Sequence, residues 1–455
     1  MNTEALRSLL HKYNVAVPRY TSYPTVPFWS HETMSADTWK RHVKIQFDNE
    51  SREICLYIHL PFCEELCTYC ACNKRITRNH AVEKPYLETL LEEWKLYKEI
   101  FEEKPVIREI HLGGGTPTFF SAQHLRQLID GITSDVEIAP NHEFSIEVHP
   151  NNTTREQLSE LRNAGFNRIS IGVQDFDPDV QFIINRIQSF EQTALIAKTA
   201  RELGYSSINV DLVYGLPKQT IDGLKKTIEQ IHLIAPDRIA FYSYAHVPWK
   251  SKGQRRYTDE DVPGGELKLA MYCLGYSMLT EAGYSSIGMD HFALPDDPLM
   301  KAAGSGKLHR NFMGYTTTNH KLVVGLGASS IGDTWSAFAQ NEKTVETYQE
   351  RVMAGELPLI GGHELTDEDL VVRQTILDLM CRGECRIEMD DHYYPFKEDL
   401  LNELEDMTRD RLVNYKDGRV RITEHGQLLV RNVCSLFDLR LRKAGVKSKV
   451  FSQAI

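Results

Sequence analysis

Long hydrophobic runs are missing from this chain of 455 residues, and no apolar core of a secretory signal follows Met1. A helix that crosses a membrane needs about 20 mainly apolar residues, so the sequence predicts no membrane span. Low-complexity tracts are also missing. We therefore expect a cytoplasmic protein, long enough for two domains or for one large domain with an appendage.

Positive charge is in deficit, with 52 Lys and Arg residues against 63 Asp and Glu residues and a net charge of −11. A broad face that binds nucleic acid requires the opposite balance. We therefore expect no nucleic-acid partner. The balance still leaves room for a local basic pocket that binds an acidic small molecule.

Cysteine is scarce and unevenly distributed. Four of the nine cysteines lie within residues 63–72, and the other five are scattered in mainly apolar surroundings. A scattered cysteine of this kind usually behaves as a small buried hydrophobe. The cluster favours a metal centre in a reducing compartment over a disulfide framework.

The spacing within the cluster narrows the kind of metal centre. Cys63, Cys67 and Cys70 are separated by three and two residues. Structural zinc sites usually pair two short knuckles across a longer insert, and no second knuckle follows here. One loop with this spacing suits an iron–sulfur cube, in which each thiolate binds a different iron. Cys72 either fills the fourth position or serves elsewhere, and zinc or a redox pair remains the alternative.

Short apolar segments alternate with longer amphipathic ones between about residues 53 and 330, which is typical of parallel β/α units. Because crossovers are right-handed, all strands of such units end on one rim. The sequence therefore predicts an α/β fold, a partial (β/α)6 barrel. The predicted strands are 54–60, 106–112, 143–148, 168–173, 207–213 and 238–242, and the predicted helices are 87–101, 123–132, 155–164, 190–203 and 221–234. Residues 323–331 predict a further buried strand followed by a glycine-rich turn.

Polar residues and glycines recur at the predicted strand ends. A glycine triplet at 113–115 follows the second strand, Glu147 lies in the third, Gln174 follows the fourth and Asp211 lies in the fifth. A plain turn would explain the glycines, and hydrogen bonding within the fold would explain the carboxylates. Their recurrence on the rim that bears the cysteines favours a ligand site.

Two further regions flank the barrel, which we assign to residues 51–345. Residues 1–50 include Arg19 and Tyr20 in a proline-rich stretch that disfavours helix, so we expect an arm that lies over the active site, with a plain linker as the alternative.

The C-terminal region, 363–455, has a different composition. It predicts a mainly helical, winged-helix-like domain, with helices at 366–380, 396–409 and 424–441 and a turn at 416–419. Its charges are mixed, so we expect it to pack on the barrel and not to bind DNA.

With these motifs assembled, the chain resembles the oxygen-independent coproporphyrinogen III oxidases of the radical S-adenosylmethionine (SAM) superfamily, along essentially its full length. The signature of three cysteines matches Cys63, Cys67 and Cys70. The segments that carry the narrower resemblance are 18–25 (PRYTSYPT), 70–73 (CACN), 172–176 (GVQDF), 288–292 (GMDHF) and 451–455 (FSQAI).

The resemblance implies a [4Fe–4S] cluster and two SAM molecules. Cys63, Cys67 and Cys70 would bind the cluster, and Cys72, Tyr20 and Arg19 would be catalytic. The residues that would line the first SAM are Tyr57, Gly114, Glu147 and Ile331, and those around the second are Tyr69, Ala71, Gly115, Thr116, Gln174, Arg186, Asp211 and Ala245. Two positions depart from the family pattern: Ala71 replaces an expected Gly, and His149, which replaces an expected Asp, is expected to touch no residue of the site.

The resemblance also implies an activity. A small electron-donor protein such as flavodoxin or ferredoxin would reduce the cluster, SAM would yield a 5′-deoxyadenosyl radical, and two propionates of coproporphyrinogen III would be decarboxylated to vinyl groups, giving protoporphyrinogen IX for haem biosynthesis. From charge and location, Arg19, Arg310 and His309 are candidates to bind the propionates. The alternatives are a haem-binding chaperone of the same family and a radical SAM enzyme with another substrate, and a monomer is the default expectation.

Overall fold

Six parallel strands form the centre of the structure, a computed structural model that describes residue 9 and residues 12–387, 396–445 and 451–454. They are β1 (Glu53–Leu60), β2 (Val106–Gly114), β3 (Glu137–Val148), β4 (Arg168–Gln174), β5 (Ser207–Tyr214) and β6 (Arg238–Ser243). Each pairs in parallel with the next, so all six end on one rim. The predicted strands are confirmed, and β3 begins earlier than predicted.

Six shorter strands extend this sheet at its two edges. They are β7 (Ser285–Ile287), β8 (His291–Ala293), β9 (Val323–Leu326), β10 (Ile331–Asp333), β11 (Ala337–Asn341) and β12 (Leu359–Glu364), and the order across the sheet is β12-β11-β10-β9-β1-β2-β3-β4-β5-β6-β8-β7. Only β9 is predicted by the sequence. The others are too short or irregular to show a clear alternation of apolar and polar residues.

Helices cover the outside of the sheet, and their starts follow sequence signals. Thr154 and Ser189 form capping boxes with Gln157 and Gln192 at two of these starts. The five predicted crossover helices are confirmed. The helices up to the end of the sheet are α1 (Ala36–Asn49), α2 (Glu83–Lys98), α3 (Ala122–Thr133), α4 (Arg155–Asn163), α5 (Pro178–Ile183), α6 (Phe190–Glu202), α7 (Ile221–Ile234), α8 (Gly265–Glu281), α9 (Pro298–Gly304) and α10 (Val345–Met353).

The main hydrophobic core lies between the sheet and these helices. Alternate strand residues such as Ile58, Ile110 and Ile146 are fully buried in it. Helix α1 belongs to this core as well, although it falls within the segment that the sequence assigns to the arm: Trp39 and Phe47 pack against the sheet helices. The proline-rich stretch therefore covers only the part of residues 1–50 that precedes α1.

The C-terminal region forms a second core. It contains α11 (Asp367–Arg382), α12 (Lys397–Arg409), α13 (Glu424–Gln427), α14 (Val430–Ser435), α15 (Leu439–Ala444) and a small sheet of Glu384–Arg386, Val413–Lys416 and Arg419–Ile422. The predicted single helix at 424–441 is wrong. A new helix, α15, begins after Asp438, because the Asp438 side chain accepts a hydrogen bond from Leu441 N at 2.8 Å and caps the start of that helix.

The arm before α1 packs into this second core. Val17, Tyr20 and Tyr23 are buried there together with residues of α11, α12 and α14. A short antiparallel bridge joins Ala16 to Gln453. Among the described helices, none is long and apolar enough to cross a membrane.

Candidate active site

The cysteine loop follows β1 and is held by two neighbouring segments. Cys63 ends the two-residue strand Phe62–Cys63, which pairs in parallel with Arg75–Ile76. Farther along the loop, Thr68 N donates to the Ile184 carbonyl at 2.8 Å, and Thr68 Oγ1 donates to the Ile183 carbonyl at 3.0 Å. The loop is thereby fixed against the end of α5 at the rim.

Two cavities open beneath this loop. The larger has a volume of about 510 Å³ and the smaller about 360 Å³, and they share Cys72, Gly114, Glu147 and Tyr242 in their walls. The site residues expected from the sequence that line the larger cavity are Cys63, Cys67, Tyr69, Cys70, Ala71, Cys72, Gly114, Gly115, Thr116, Glu147, Gln174, Arg186 and Asp211. Those that line the smaller one are Tyr57, Cys72, Gly114, Glu147 and Ile331.

The cysteine thiols have polar neighbours. Thr116 Oγ1 lies 3.4 Å from Cys63 Sγ, and Arg186 Nη1 lies 3.6 Å from Cys67 Sγ. A hydrogen bond with Cys72 lowers the pKa of Cys70 to about 6, and the same contact raises that of Cys72. A thiol with a lowered pKa is readily available as a thiolate ligand.

The arrangement of the thiols is compatible with an iron–sulfur cluster. In the described part of the chain, no three Cys, His, Asp or Glu side chains lie close enough together to bind a single metal ion. A cubane does not require this convergence, because each of its irons takes a separate thiolate. Three thiols on one loop, lining one cavity, therefore suit an iron–sulfur cube.

The glycine triplet allows β2 to pass close to the start of the cysteine loop. Gly115 N donates to the Leu60 carbonyl at 2.9 Å, and Thr116 N donates to the Phe62 carbonyl at 2.9 Å. A Cβ on Gly115 would lie 2.6 Å from the Pro61 carbonyl oxygen, and Gly114 has a φ of +112°. Close packing of the backbone thus explains these glycines directly.

Two carboxylates in the cavity walls differ in their surroundings. Burial opposes ionisation of Glu147, but hydrogen bonds from His111 and from Gly114 N outweigh it and keep the pKa below its usual value. Burial and the charge of Glu147 raise the pKa of Asp211 to about 6. Both side chains are placed to accept hydrogen bonds from the amino or hydroxyl groups of a ligand.

Some expected residues lie away from both cavities. Ala245 touches the cysteine loop only indirectly, because Gln254 Nε2 donates to the carbonyls of both Ala245 and Tyr69. Arg19 Nη2 donates to the Ser243 carbonyl at the end of β6, at 2.5 Å. Tyr20 points into the second core, where its hydroxyl donates to Asp438 at 3.1 Å.

His149, the second position that departs from the family pattern, lies beside the site. It lines the larger cavity. Its side chain accepts a hydrogen bond from Asn151 N at 3.2 Å, and burial lowers its pKa to about 3, so it is neutral. The position where the family pattern has an acid therefore carries an uncharged ring in the cavity wall.

Sequence reasoning missed His111 and Tyr242. His111 supports Glu147 and lines the smaller cavity, whereas Tyr242 lies between the two cavities. The alternation of side chains along a strand could have indicated both residues. His111 lies on the same strand face as Gly113, two residues farther along. Tyr242 lies on the same strand face as Ala240, which pairs with Asp211.

Comparison with known proteins gives concordant results. Residues 57–231 match the family model of the radical SAM superfamily. The chain is 38% identical to the oxygen-independent coproporphyrinogen III oxidase of Pseudomonas aeruginosa, over 94% of this chain and 95% of that protein, and 36% identical to that of Escherichia coli, over 98% of each.

The solved structure of the Escherichia coli coproporphyrinogen III oxidase, described as a radical SAM enzyme, superposes with a TM-score of 0.87 at 35% identity, covering 92% of this chain and 97% of that one. The predicted barrel is thereby confirmed. Identity of this extent along nearly the whole length shows that the chain belongs to the oxygen-independent coproporphyrinogen III oxidase family of radical SAM enzymes.

Proposed function

We propose that the protein decarboxylates two propionate side chains of coproporphyrinogen III to vinyl groups, giving protoporphyrinogen IX without oxygen. The observation that carries this proposal is the placement of Cys63, Cys67 and Cys70 on the wall of a cavity, in a chain that matches these oxidases end to end. An ordinary acid or base cannot remove a hydrogen from the unactivated C–H bond beside a pyrrole ring. Radical chemistry is therefore required.

A [4Fe–4S] cluster and SAM belong to this family, and Cys63, Cys67 and Cys70 are the residues that would hold the cluster. Together the two groups supply homolytic removal of hydrogen. The chain's own contribution is to position the reactants and to exclude water and oxygen. The thiols face a cavity covered by the loop, and Thr116 and Arg186 stabilise negative charge on the sulfur atoms.

A second SAM is part of the proposal. Of the residues expected around the first SAM, Tyr57 and Ile331 line only the smaller cavity, and Gly114 and Glu147 line both. Those expected around the second SAM line the larger cavity, except Ala245. This division into two connected cavities supports two SAM molecules. Counting the SAM molecules retained by the reconstituted enzyme after rapid gel filtration tests it, and a stoichiometry of one would contradict it.

The negatively charged substrate requires cations, and the three candidates differ. Arg19 reaches the rim at Ser243. Arg310 is buried, and its Nε and Nη1 lack a hydrogen-bond partner among the described residues, with Asp290 3.7 Å away. Burial and the nearby Arg373 lower the pKa of His309 to about 4, so this ring is neutral at physiological pH. Arg19 and Arg310 therefore remain the proposed propionate-binding residues, and His309 does not.

An anaerobic assay with coproporphyrinogen III, SAM and dithionite tests the activity, with the porphyrin products identified by mass. We expect stepwise loss of two carboxyl groups in the wild type and none in Cys63→Ala, because that variant lacks a cluster ligand. Cys273→Ala is the matched control, since Cys273 is exposed on α8, contrary to the expectation that it is buried.

The same assay includes Arg19→Ala and Arg310→Ala. An unchanged KM and kcat in both would remove them from the proposal. If SAM were cleaved but no porphyrin lost a carboxyl group, the substrate would be wrong, and haem binding would be measured next. A small electron-donor protein, a monomeric state and a cytoplasmic location remain predictions.

A further inference from the structure

His149 directly follows β3 in the wall of the larger cavity, and its ring is held in place by one residue. Asn151 N donates to His149 Nδ1 at 3.2 Å, and Asn151 Nδ2 donates to the Ile187 carbonyl at 2.8 Å. Asn151 therefore ties the ring to the segment that follows α5. Arg186 of that segment lines the same cavity.

The hydrogen bond at Nδ1 determines which nitrogen of the His149 ring carries the proton. Burial and the charge of Arg186 lower the pKa of His149 to about 3, so the ring is neutral. A neutral imidazole has one acceptor nitrogen and one donor nitrogen. Because Nδ1 accepts from Asn151 N, the proton is on Nε2, and no acceptor among the described residues bonds to it. His149 therefore offers one uncharged N–H donor.

The backbone turn at Pro150–Asn152, which His149 caps, does not require a histidine. The family pattern has an aspartate at this position, and an aspartate side chain accepts a hydrogen bond from the N–H two residues farther along just as well. An aspartate, however, would bring a negative charge and no donor into the cavity wall. The histidine thus changes the cavity and leaves the turn as it is.

Arg186 is the cation next to this donor. Its Nη1 lies 3.6 Å from Cys67 Sγ, and its Nη2 donates to the Gly172 carbonyl at 2.5 Å. Its Nε has no hydrogen-bond partner among the described residues. No carboxylate in the described part of the chain forms an ion pair with Arg186, so no acidic side chain neutralises the guanidinium.

Four acidic residues also line the larger cavity, and each hydrogen-bonds or pairs with another residue of the chain. They are Glu64, Glu65, Glu147 and Asp211. Within the described residues, none of the four bonds to His149 or to Arg186. The wall therefore offers acceptors for an amino group of a ligand and, at His149 and Arg186, a donor and a cation for a carboxylate.

We propose that His149 is a carboxylate-binding residue of the larger cavity, which donates its Nε2–H to a ligand carboxylate beside the Arg186 cation. The inference rests on the proposed function, because both SAM and coproporphyrinogen III carry carboxylates. The chemistry is the same for either ligand, since hydrogen bonds to a charged carboxylate are the strong ones. His149 only binds and orients, and no covalent bond changes.

The test measures binding without turnover. Equilibrium dialysis of the reconstituted enzyme gives the Kd values for SAM and for decarboxylated SAM, which lacks the carboxylate. Fluorescence titration gives the Kd for coproporphyrin III, the stable oxidised form of the substrate. The variants are His149→Leu, which removes the donor, and His149→Gln, whose amide keeps an N–H group.

The expected result is specific to the carboxylate. His149→Leu should raise the Kd for SAM about tenfold, because a hydrogen bond to a charged group is lost, and should leave the Kd for decarboxylated SAM unchanged. His149→Gln should restore most of the affinity. A rise in the Kd for coproporphyrin III in place of that for SAM would assign the carboxylate to a propionate of the substrate.

His425→Leu is the matched control. His425 is exposed on α13 and lines neither cavity, so this variant should bind all three ligands like the wild type. Unchanged Kd values for SAM and coproporphyrin III in His149→Leu would overturn the proposal. So would an equal loss of affinity in both His149 variants, or an equal loss for SAM and decarboxylated SAM. Binding needs no decarboxylation, so absence of product with the wild type would count against the proposed function alone.

Discussion

At the scale of single residues, Glu93 is a fully buried carboxylate on α2, outside both cavities. Among the described residues, no cation forms an ion pair with it. Its oxygens accept hydrogen bonds from Gly327 N at 2.8 Å, Asn341 Nδ2 at 2.6 Å and the Tyr348 hydroxyl at 2.6 Å. Through Gly327 it holds the turn between β9 and β10, which carries Ile331 into the wall of the smaller cavity. Burial raises its pKa to about 7.

This raised pKa makes the stability of the protein depend on pH. The folded state binds a proton at Glu93 in a pH range in which the unfolded chain has already lost it. The contribution of Glu93 to stability is therefore complete at low pH and is lost as the pH rises from about 4.5 to about 7. We expect it to fall by roughly 3 kcal/mol over this range.

Urea unfolding of wild type and Glu93→Gln at several pH values measures the effect. Glutamine does not titrate, so the stability of the wild type should decline relative to the variant as the pH rises. A difference between the two proteins that is independent of pH would contradict the expectation. Gln374→Ala, an exposed change on α11, serves as the control for general effects of pH.

At the scale of elements, Arg431 of α14 joins both ends of the described chain. Its side chain is buried, and its nitrogen atoms donate to the carbonyls of Pro18 at 3.0 Å and of Gln453 at 3.0 Å, and also to that of Val17. Every one of these acceptors is a backbone carbonyl of the arm or of the tail. Arg431 therefore positions the residue that follows Pro18, which is Arg19.

Arg431→Met should loosen the arm and leave the barrel intact. We expect a rise in the KM for coproporphyrinogen III of about tenfold, equivalent to about 1.4 kcal/mol, whereas SAM binding should not change. The comparison is with Arg421→Met, which removes an exposed arginine of the small sheet that pairs with Glu384. A lower kcat with an unchanged KM would mean that Arg431 acts on the chemistry and not on the arm.

The elements also show how far the sequence predicts the fold. Strands β1 to β6 and the crossover helices follow from apolar periodicity because each is long and repeats one βα pattern. The edge strands β10 to β12 do not, since they have only 3, 5 and 6 residues and show no clear alternation of apolar and polar residues. The sequence predicts an arm. It does not predict that Tyr20 is buried against Asp438, because no local signal indicates a partner more than 400 residues away.

The candidate site, like the fold, can be predicted from the sequence only in part. The cysteine spacing and the strand-end residues predict which groups line the cavities, because parallel strands end together. The sequence could not show that Arg19 bonds to the rim at Ser243 while Ala245 lies behind Gln254. Those details depend on how the loop after β6 folds back, and no motif in that loop specifies it.

At the scale of the whole molecule, the main core is independent of the cysteine loop. Its buried members come from the sheet and the covering helices, and none of the loop cysteines belongs to it. Removal of the cluster ligands in Cys63→Ser/Cys67→Ser/Cys70→Ser should therefore leave the circular dichroism spectrum unchanged and lower the Tm by no more than about 5 °C.

The variant is compared with wild type before and after reconstitution. Loss of cooperative unfolding in the triple variant would show that the cluster is needed for folding, as the metal is in zinc fingers. If the triple variant keeps the fold without iron, the cluster is needed only for activity.

The contact between Arg431, the arm and the tail also orders events during translation. Pro18 leaves the ribosome early, but the side chain that holds it lies 413 residues later in the chain. The barrel strands can pair as they emerge, since domains usually fold in the order of synthesis. The arm cannot reach its native position until the C-terminal region, including residues 452–454, has been synthesised. Nascent and prematurely terminated chains would therefore carry a barrel whose rim is still open to solvent.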